Sequence, residues 1–454
     1  MKNTYKLFKI IALAVLVGFL MVACNDDSDG NGNAKIITFT VTFDSDGGST
    51  IPGQVVNKGK EAEEPLVPPT KGLEGLYLGE VTADDVICTF DGWFAPDSET
   101  EFDFTTKITG DITLTARWID PNISPIDIES QTGTGIIAKA IRYINNNADT
   151  YTLLINDDVD LSSQSFSTAN VKLTIIGIGS EREIRLSSNG RMFTIGSLIR
   201  TGIELTLGNN ITLVGRSVDG NGNQNNTNSV VRLQDNASFT MLSGSKITGN
   251  TSTGTDGSAA AVDVSSGVFT MKSGSSITGN TATFTNPGYP GIKVVSGLYH
   301  GGDEDTVFNI EGGCITGNTA LTGDVSINGK MILSENAAIG SLTIFSRTDS
   351  DFSSRHNPLT IAPGWTGTVQ VLNLYGYRQY IGTNPIETVI DRWVNNTVLQ
   401  AAAGYTLQKS DVEKILSLGT FISSSSNIST KAISPDYKIE DSGVDIGKLV
   451  AATP

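Results

Sequence analysis

Ser243-Gly244-Ser245-Lys246-Ile247-Thr248-Gly249-Asn250-Thr251 returns almost unchanged as Ser273-Gly274-Ser275-Ser276-Ile277-Thr278-Gly279-Asn280-Thr281. It returns once more, shortened, as Gly312-Gly313-Cys314-Ile315-Thr316-Gly317-Asn318-Thr319. The central isoleucines, Ile247, Ile277 and Ile315, lie 30 and then 38 residues apart. A repeat of that length is one supersecondary unit that buries its apolar side only against its neighbours.

Around each isoleucine the chain resolves into three short runs with apolar residues at every second position, the pattern of a strand with one buried face. The runs are 230–233, 239–241 and 246–248, then 262–264, 268–271 and 276–278, then 292–295, 307–310 and 314–316. The rhythm extends upstream through 152–155, 171–175 and 184–186, grouped as a first coil, and through 192–195, 203–207 and 211–213. Downstream it continues through 325–327, 331–333, 338–339 and 342–345. Three strands per repeat, stacked in register, predict an all-β chain dominated by a parallel β-helix over residues 135–345. Six or seven coils at about 4.8 Å each would make a rod of roughly 30 Å. Asn250, Asn280 and Asn318 recur at one corner, where they can hydrogen-bond to one another along the rod. Insertions 283–291 and 299–305 loop out of the turns.

The open end of such a stack exposes apolar core and unpaired strand edges. Ile137, Ile141 and Ile144 share one helical face immediately before the first coil, which predicts an N-terminal capping helix. Residues 346–454 form a C-terminal β-rich region, a continuation or cap of the β-helix, in which the cassette is gone. There 359–361, 369–374 and 420–423 read as strands and 410–418 as a short helix.

The cassette resembles repeats of right-handed β-helix surface proteins of bacteria. The start of the chain resembles a bacterial lipoprotein signal: Lys2 and Lys6, an apolar run over 7–22, then Met21-Val22-Ala23-Cys24, with Met21 where that family usually has Leu. The resemblance implies cleavage of residues 1–23 and lipidation of Cys24, with 24–36 as a flexible acidic tether and the membrane as a partner through the lipid. Acidic residues directly after the cysteine resemble signals that send such proteins to the cell surface, so the expected location is the bacterial outer membrane, facing outward. Residues 37–118 contain Phe39-Thr40-Val41-Thr42-Phe43-Asp44, then Phe90-Asp91-Gly92-Trp93-Phe94, then Ile112-Thr113-Leu114-Thr115-Ala116-Arg117-Trp118. In that order they resemble the Listeria–Bacteroides repeat, the internalin B-repeat family, which implies a small β-grasp-like module of surface proteins. Residues 74–89 are extra to that pattern and should enlarge one loop. Trp93 and Trp118 read as core aromatics, and 119–134 as a linker.

The chain carries 31 Lys and Arg against 48 Asp and Glu, a formal net charge of −17, and the leader would remove Lys2, Lys6 and Lys9 from the positive side. That balance repels polyanions and argues against nucleic acid. Cys88 and Cys314 read as free, mostly buried thiols. No paired catalytic aspartates with a Gly-His-Gly element accompany the only histidines, His300 and His356. Asp157-Asp158 reads as a solvated turn, and Asp303 falls about four coils away, near 19 Å, too far to act with Asp157. Asp219-Gly220-Asn221-Gly222-Asn223 starts like a calcium loop, but the twelfth position is Val230. His300 to Asp305 reads as an acidic loop. The sequence thus predicts no catalytic residue, metal or cofactor, and a non-enzymatic adhesin or cell-surface scaffold with a carbohydrate or cell-surface protein ligand. The alternative is a polysaccharide-binding or polysaccharide-degrading β-helix protein of lyase or glycosidase type.

Overall fold

The computed structural model describes residues 36–197, 199–218, 225–254, 259–283, 298–300, 306–320, 323–348, 354–377, 385–424 and 428–452. Cys24, the leader and tether, Asp219, Asp303 and Asp305 lie outside them, as does the expected strand 292–295. The protein is mostly β, with many parallel strands, and the α-helices among the described residues are Ile136–Asn146 (α1), Pro385–Trp393 (α2) and Lys409–Val412 (α3).

Beyond residue 150 most strand pairs among the described residues are parallel, with antiparallel exceptions at Thr150–Ile155, Ala338–Thr348, Leu418–Ser424 and Tyr437–Ile439. A ten-stranded sheet, ladder I, begins with Gly75–Leu78 and Thr150–Ile155 and ends with Leu359–Ile361 and Leu399–Ala401. At about 4.8 Å per step it spans about 43 Å. A 17-stranded sheet contains two further stacks, ladder II around Ile247 and ladder III around Val262–Val264. The chain visits the ladders in turn: Ser238–Met241 in I, Lys246–Thr248 in II, Val262–Val264 in III, then Val268–Lys272 back in I beside Ser238–Met241.

Register follows the cassette. Ile247 pairs with Ile277, Ile277 with Ile315, and Ile315 with Ile339. All four are fully buried. In ladder I the buried faces align Phe239, Phe269 and Phe308, with ring centroids 5.6 and 5.8 Å apart. Like side chains on successive rungs therefore stack on one another through the interior. Gly249, Gly279 and Gly317 sit at φ +70, +67 and +68°, a left-handed bend that only glycine enters at no steric cost. That bend turns the chain out of ladder II and carries Asn250 and Asn280 inside, where both are fully buried.

Several expectations need correction. Runs 152–155 and 171–175 do not share one turn: Leu153 pairs with Ile175, so they are neighbouring rungs of ladder I. The intervening strands Val159–Leu161 and Gln164–Phe166 supply ladders II and III on the first level. Each is only three residues long, too short for alternation to declare itself. Leu298–His300 is the strand that pairs with Val262–Val264. Beyond 345, where a continuation or cap is the expectation, Ile332 pairs with Thr360, Leu342 with Leu372, and Leu359 with Leu399. The helix expected at 410–418 is confined to α3, and Leu418–Ser424 is a strand. Cys88 is buried as expected, whereas Cys314 is half-buried, because its position in ladder II faces outward beside buried Ile315.

Residues 36–119 form a second core. Its strand order is Gln54–Asn57, Thr38–Asp44, Ile112–Ile119, Ile87–Phe94, Lys71–Gly72, with the Thr38–Asp44 and Ile112–Ile119 pair parallel. Val41, Leu114 and Trp93 are buried at its centre, and Trp93 meets Phe43 and Phe90 edge-on at 4.8 and 5.5 Å. Residues 74–89 do more than enlarge a loop. They hold the strand Gly75–Leu78, which leaves this sheet and pairs antiparallel with Thr150–Ile155, and the 3-10 turn Ala83–Val86. At the same end of the ladders, α1 buries Ile137, Ala140, Ile141 and Ile144 in the main core. At the opposite end Val398 and Leu399 donate to Gly447 O, and Leu449 is buried in that core.

Candidate functional site

The outward faces of the ladders bear the polar chemistry. In ladder I, Thr174, Thr206, Thr240 and Thr270 pair in succession, each half-buried, so hydroxyls repeat at about 4.8 Å along one flank. Thr248 and Thr278 repeat the arrangement in ladder II. Ion pairs run in the same direction. Lys172 meets Glu204 at 3.0 Å across neighbouring strands, and Lys272 meets Glu311.

Of the carboxylates that the sequence made suspect, Asp158 lies in the first turn of ladder II, in a network with Glu183 and Arg185. Asp158 accepts the Glu183 backbone N–H at 2.9 Å and the Arg185 guanidinium at 2.8 Å, and these two bonds hold its carboxyl below the usual range. Arg185 also meets Glu183 at 2.6 Å. Glu181 accepts from Lys246 at 2.6 Å and from Thr212 at 2.5 Å, which lowers its pKa in that order of importance. A general acid requires the opposite, a carboxyl pushed upward so that it keeps its proton. Asp157 is separate from this network; it accepts the Asp158 N–H and stands near Glu74 and Arg182. The Glu74 carboxyl is shifted upward, first by burial, then by the Asp157 charge, with Arg182 opposing. No group of three or more His, Cys, Asp or Glu with metal-binding geometry occurs among the described residues. The His300 and His356 side chains lie outside those described.

One corner is polar and buried. Asn250 Oδ1 accepts the Arg216 N–H, Asn280 Oδ1 accepts the Asn250 N–H, and Asn318 Oδ1 accepts the Asn280 N–H. The series ends at Asp324, whose Oδ1 accepts both N–H groups of Asn318 and whose Oδ2 accepts the N–H and hydroxyl of Ser341. Asp324 lies outside the cassette, and only its position six residues after Asn318 hints at the role.

An open groove of about 680 Å³ lies between α1 and the first turn, lined in part by Thr132, Arg142, Asn145, Asn146, Ser162 and Gln164. A smaller one, about 510 Å³, opens beside Leu66, Pro68, Asp91 and Glu101. Trp93, on its wall, is buried, and the half-buried Trp118 donates its indole N–H to Ser45 O at 3.1 Å. Both indoles are thus held by the core.

Residues 39–74 and 87–117 match the Listeria-Bacteroides repeat domain. The match is interrupted where the chain sends Gly75–Leu78 to the ladders. No curated protein and no solved structure matches the chain.

Proposed function

We propose that this chain is a non-enzymatic lipoprotein of the bacterial cell envelope. Lipidated Cys24 holds it at the outer membrane. The repeat-domain module and a right-handed parallel β-helix, its N-terminal end covered by α1, face outward for adhesion or as part of a cell-surface scaffold. The observation that carries this reading is the flank of ladder I, where hydroxyls and Lys–Glu pairs recur in register. Such a surface offers many equivalent weak contacts to a repetitive ligand, a polysaccharide or a cell-surface protein, and avidity then accumulates along the rod. Asp158 and Glu181 support it too, because each is ion-paired and its carboxyl is held below the usual range.

The groove under α1 favours a second reading, a polysaccharide-binding or polysaccharide-degrading protein, since amides, hydroxyls and Arg142 converge there. One experiment separates the two. The soluble 25–454 fragment is screened on a glycan array and incubated with pectins, glucans and host glycans. The scaffold reading expects binding without new reducing ends or unsaturated products. Cleavage that disappears on changing Asp157 would overturn it.

A further inference from the structure

We propose that residues 75–86 are a built-in strand donor that occupies the open edge of ladder I, and that this edge, once vacated, pairs with the same edge of a second copy. The proposal rests on the ladder geometry alone, whatever the ligand of the flank.

The first strand of a parallel stack leaves a row of backbone groups unpaired, and such a row is a template for another chain. Here Gly75 pairs with Leu154, Leu76 with Leu153, Tyr77 with Thr152 and Leu78 with Tyr151. Gly79 N–H then donates to Thr150 O at 2.6 Å, Thr152 Oγ1 donates to Gly79 O at 3.0 Å, and Val81 N–H donates to Thr152 Oγ1 at 3.3 Å. The alternation of an antiparallel pair aims the Thr152 and Leu154 amides at the donor.

Side chains on both faces fit the same occupant. Leu76 is buried in the main core, while Tyr77 and Val86 are buried with Leu154 and Ile178 on the other side. Leu154 pairs with Ile176 at an outward position that Lys272 and Glu311 fill further along the ladder. The donor therefore covers an apolar pair at the end of a row that is charged further along. Gly72 lies against Ile178 so closely that a Cβ there would collide with it.

The donor is itself guarded. Gly75 and Gly79, both at positive φ, bracket a strand of four residues. Pro125, which has no N–H to offer, packs against Gly75, and Ile126 N–H closes Leu76 O at 2.7 Å. Residues 75–86 are also the stretch that the repeat-domain match skips, so the module pattern does not require them.

The occupant after removal is a second copy because the edge is two-fold compatible: it already accepts an antiparallel strand, and two Thr150–Ile155 edges can meet antiparallel about a two-fold axis. The test replaces 75–86 in the full chain with a short Gly-Ser linker and measures sedimentation and amide exchange. Dimers should form with rising concentration, and a peptide of residues 73–86 should return the protein to monomer. In the dilute variant the Thr152 and Leu154 amides should exchange roughly tenfold faster or more. A full-length Tyr77→Asp variant, which leaves the chain length intact, should show the same local acceleration with Trp93 fluorescence unchanged. A monomeric linker variant whose two amides keep parental protection would overturn the proposal. So would a Tyr77→Asp protein with both amides as protected as before.

Discussion

Asn318 Oδ1 accepts two hydrogen bonds from Asn280, one from its backbone N–H at 3.1 Å and one from its side-chain amide at 3.0 Å. Asn280 Nδ2 also lies within hydrogen-bond reach of Ile247 O and Thr278 O, at 3.2 and 3.0 Å. Asn280→Ala would remove the amide bonds to both carbonyls and leave the Asn250 N–H without its acceptor in a fully buried site. A buried orphan costs about 1–3 kcal/mol, so the variant should lose about that much, read from the urea midpoint. A loss below about 0.5 kcal/mol would mean that the column does not stabilise the stack.

Ile277 is buried between Ile247 and Ile315, and Thr278 beside it faces outward. Ile277→Ala should cost roughly 2–5 kcal/mol. Thr278→Ala should stay within about 0.5 kcal/mol, as surface changes do. Equal losses from the two would contradict the inward–outward assignment.

The joint between module and ladders should respond to pH through Glu74. Burial and Asp157 raise its pKa above the ordinary 4.5, so the folded state favours the protonated form. Its contribution is intact below 4.5 and is lost as pH rises through the raised value. Glu74→Gln should therefore match the parent in acid and become progressively more stable than it toward neutrality. A stability difference that does not change with pH would exclude this origin.

The two thiols of the described residues should differ in reactivity. Cys88 is buried and donates to Asp120 Oδ1 at 3.4 Å; burial first and that bond second push its pKa upward. The half-buried Cys314 lies on the outer face of ladder II. In the 25–454 fragment a maleimide should label Cys314 in the folded protein and Cys88 only after denaturation. Labelling in the reverse order would reject the assignment.

Anchoring is tested at Cys24. Cys24→Ser should abolish fatty-acid labelling and leave an unprocessed precursor, and labelling that persists would end the lipoprotein proposal.

The sequence made the ladders legible where Ile-Thr-Gly-Asn repeats, because a fixed glycine bend and a buried asparagine pin the register from one level to the next. The reading weakens where those markers stop. Leu399–Ala401 stacks on Leu359–Ile361 after an intervening α2, and nothing in three residues distinguishes such a strand from a loop. Helix α2 was within reach, since Ile386, Val389, Ile390 and Trp393 follow helical spacing. The docking of Gly75–Leu78 was not, because its partner lies some seventy residues away and pairing at that range leaves no local periodicity. The ion-paired state of Asp158 and Glu181 was likewise hidden: their partners Arg185 and Lys246 come from different strands.

The asparagine column has a direction. Along it every backbone N–H points toward the higher residue number, each asparagine both gives and receives, and Asp324 closes the line by trading hydrogen bonds with Ser341. Such a column works like a sentence with a full stop. A further cassette can be inserted anywhere before Asp324, because its asparagine would take one N–H from the level before and hand its own to the level after. Added beyond Asp324 it would meet a carboxylate and a serine that already satisfy each other. Length along this axis is thus editable in steps of about 4.8 Å, and the terminating carboxylate fixes where the editing stops.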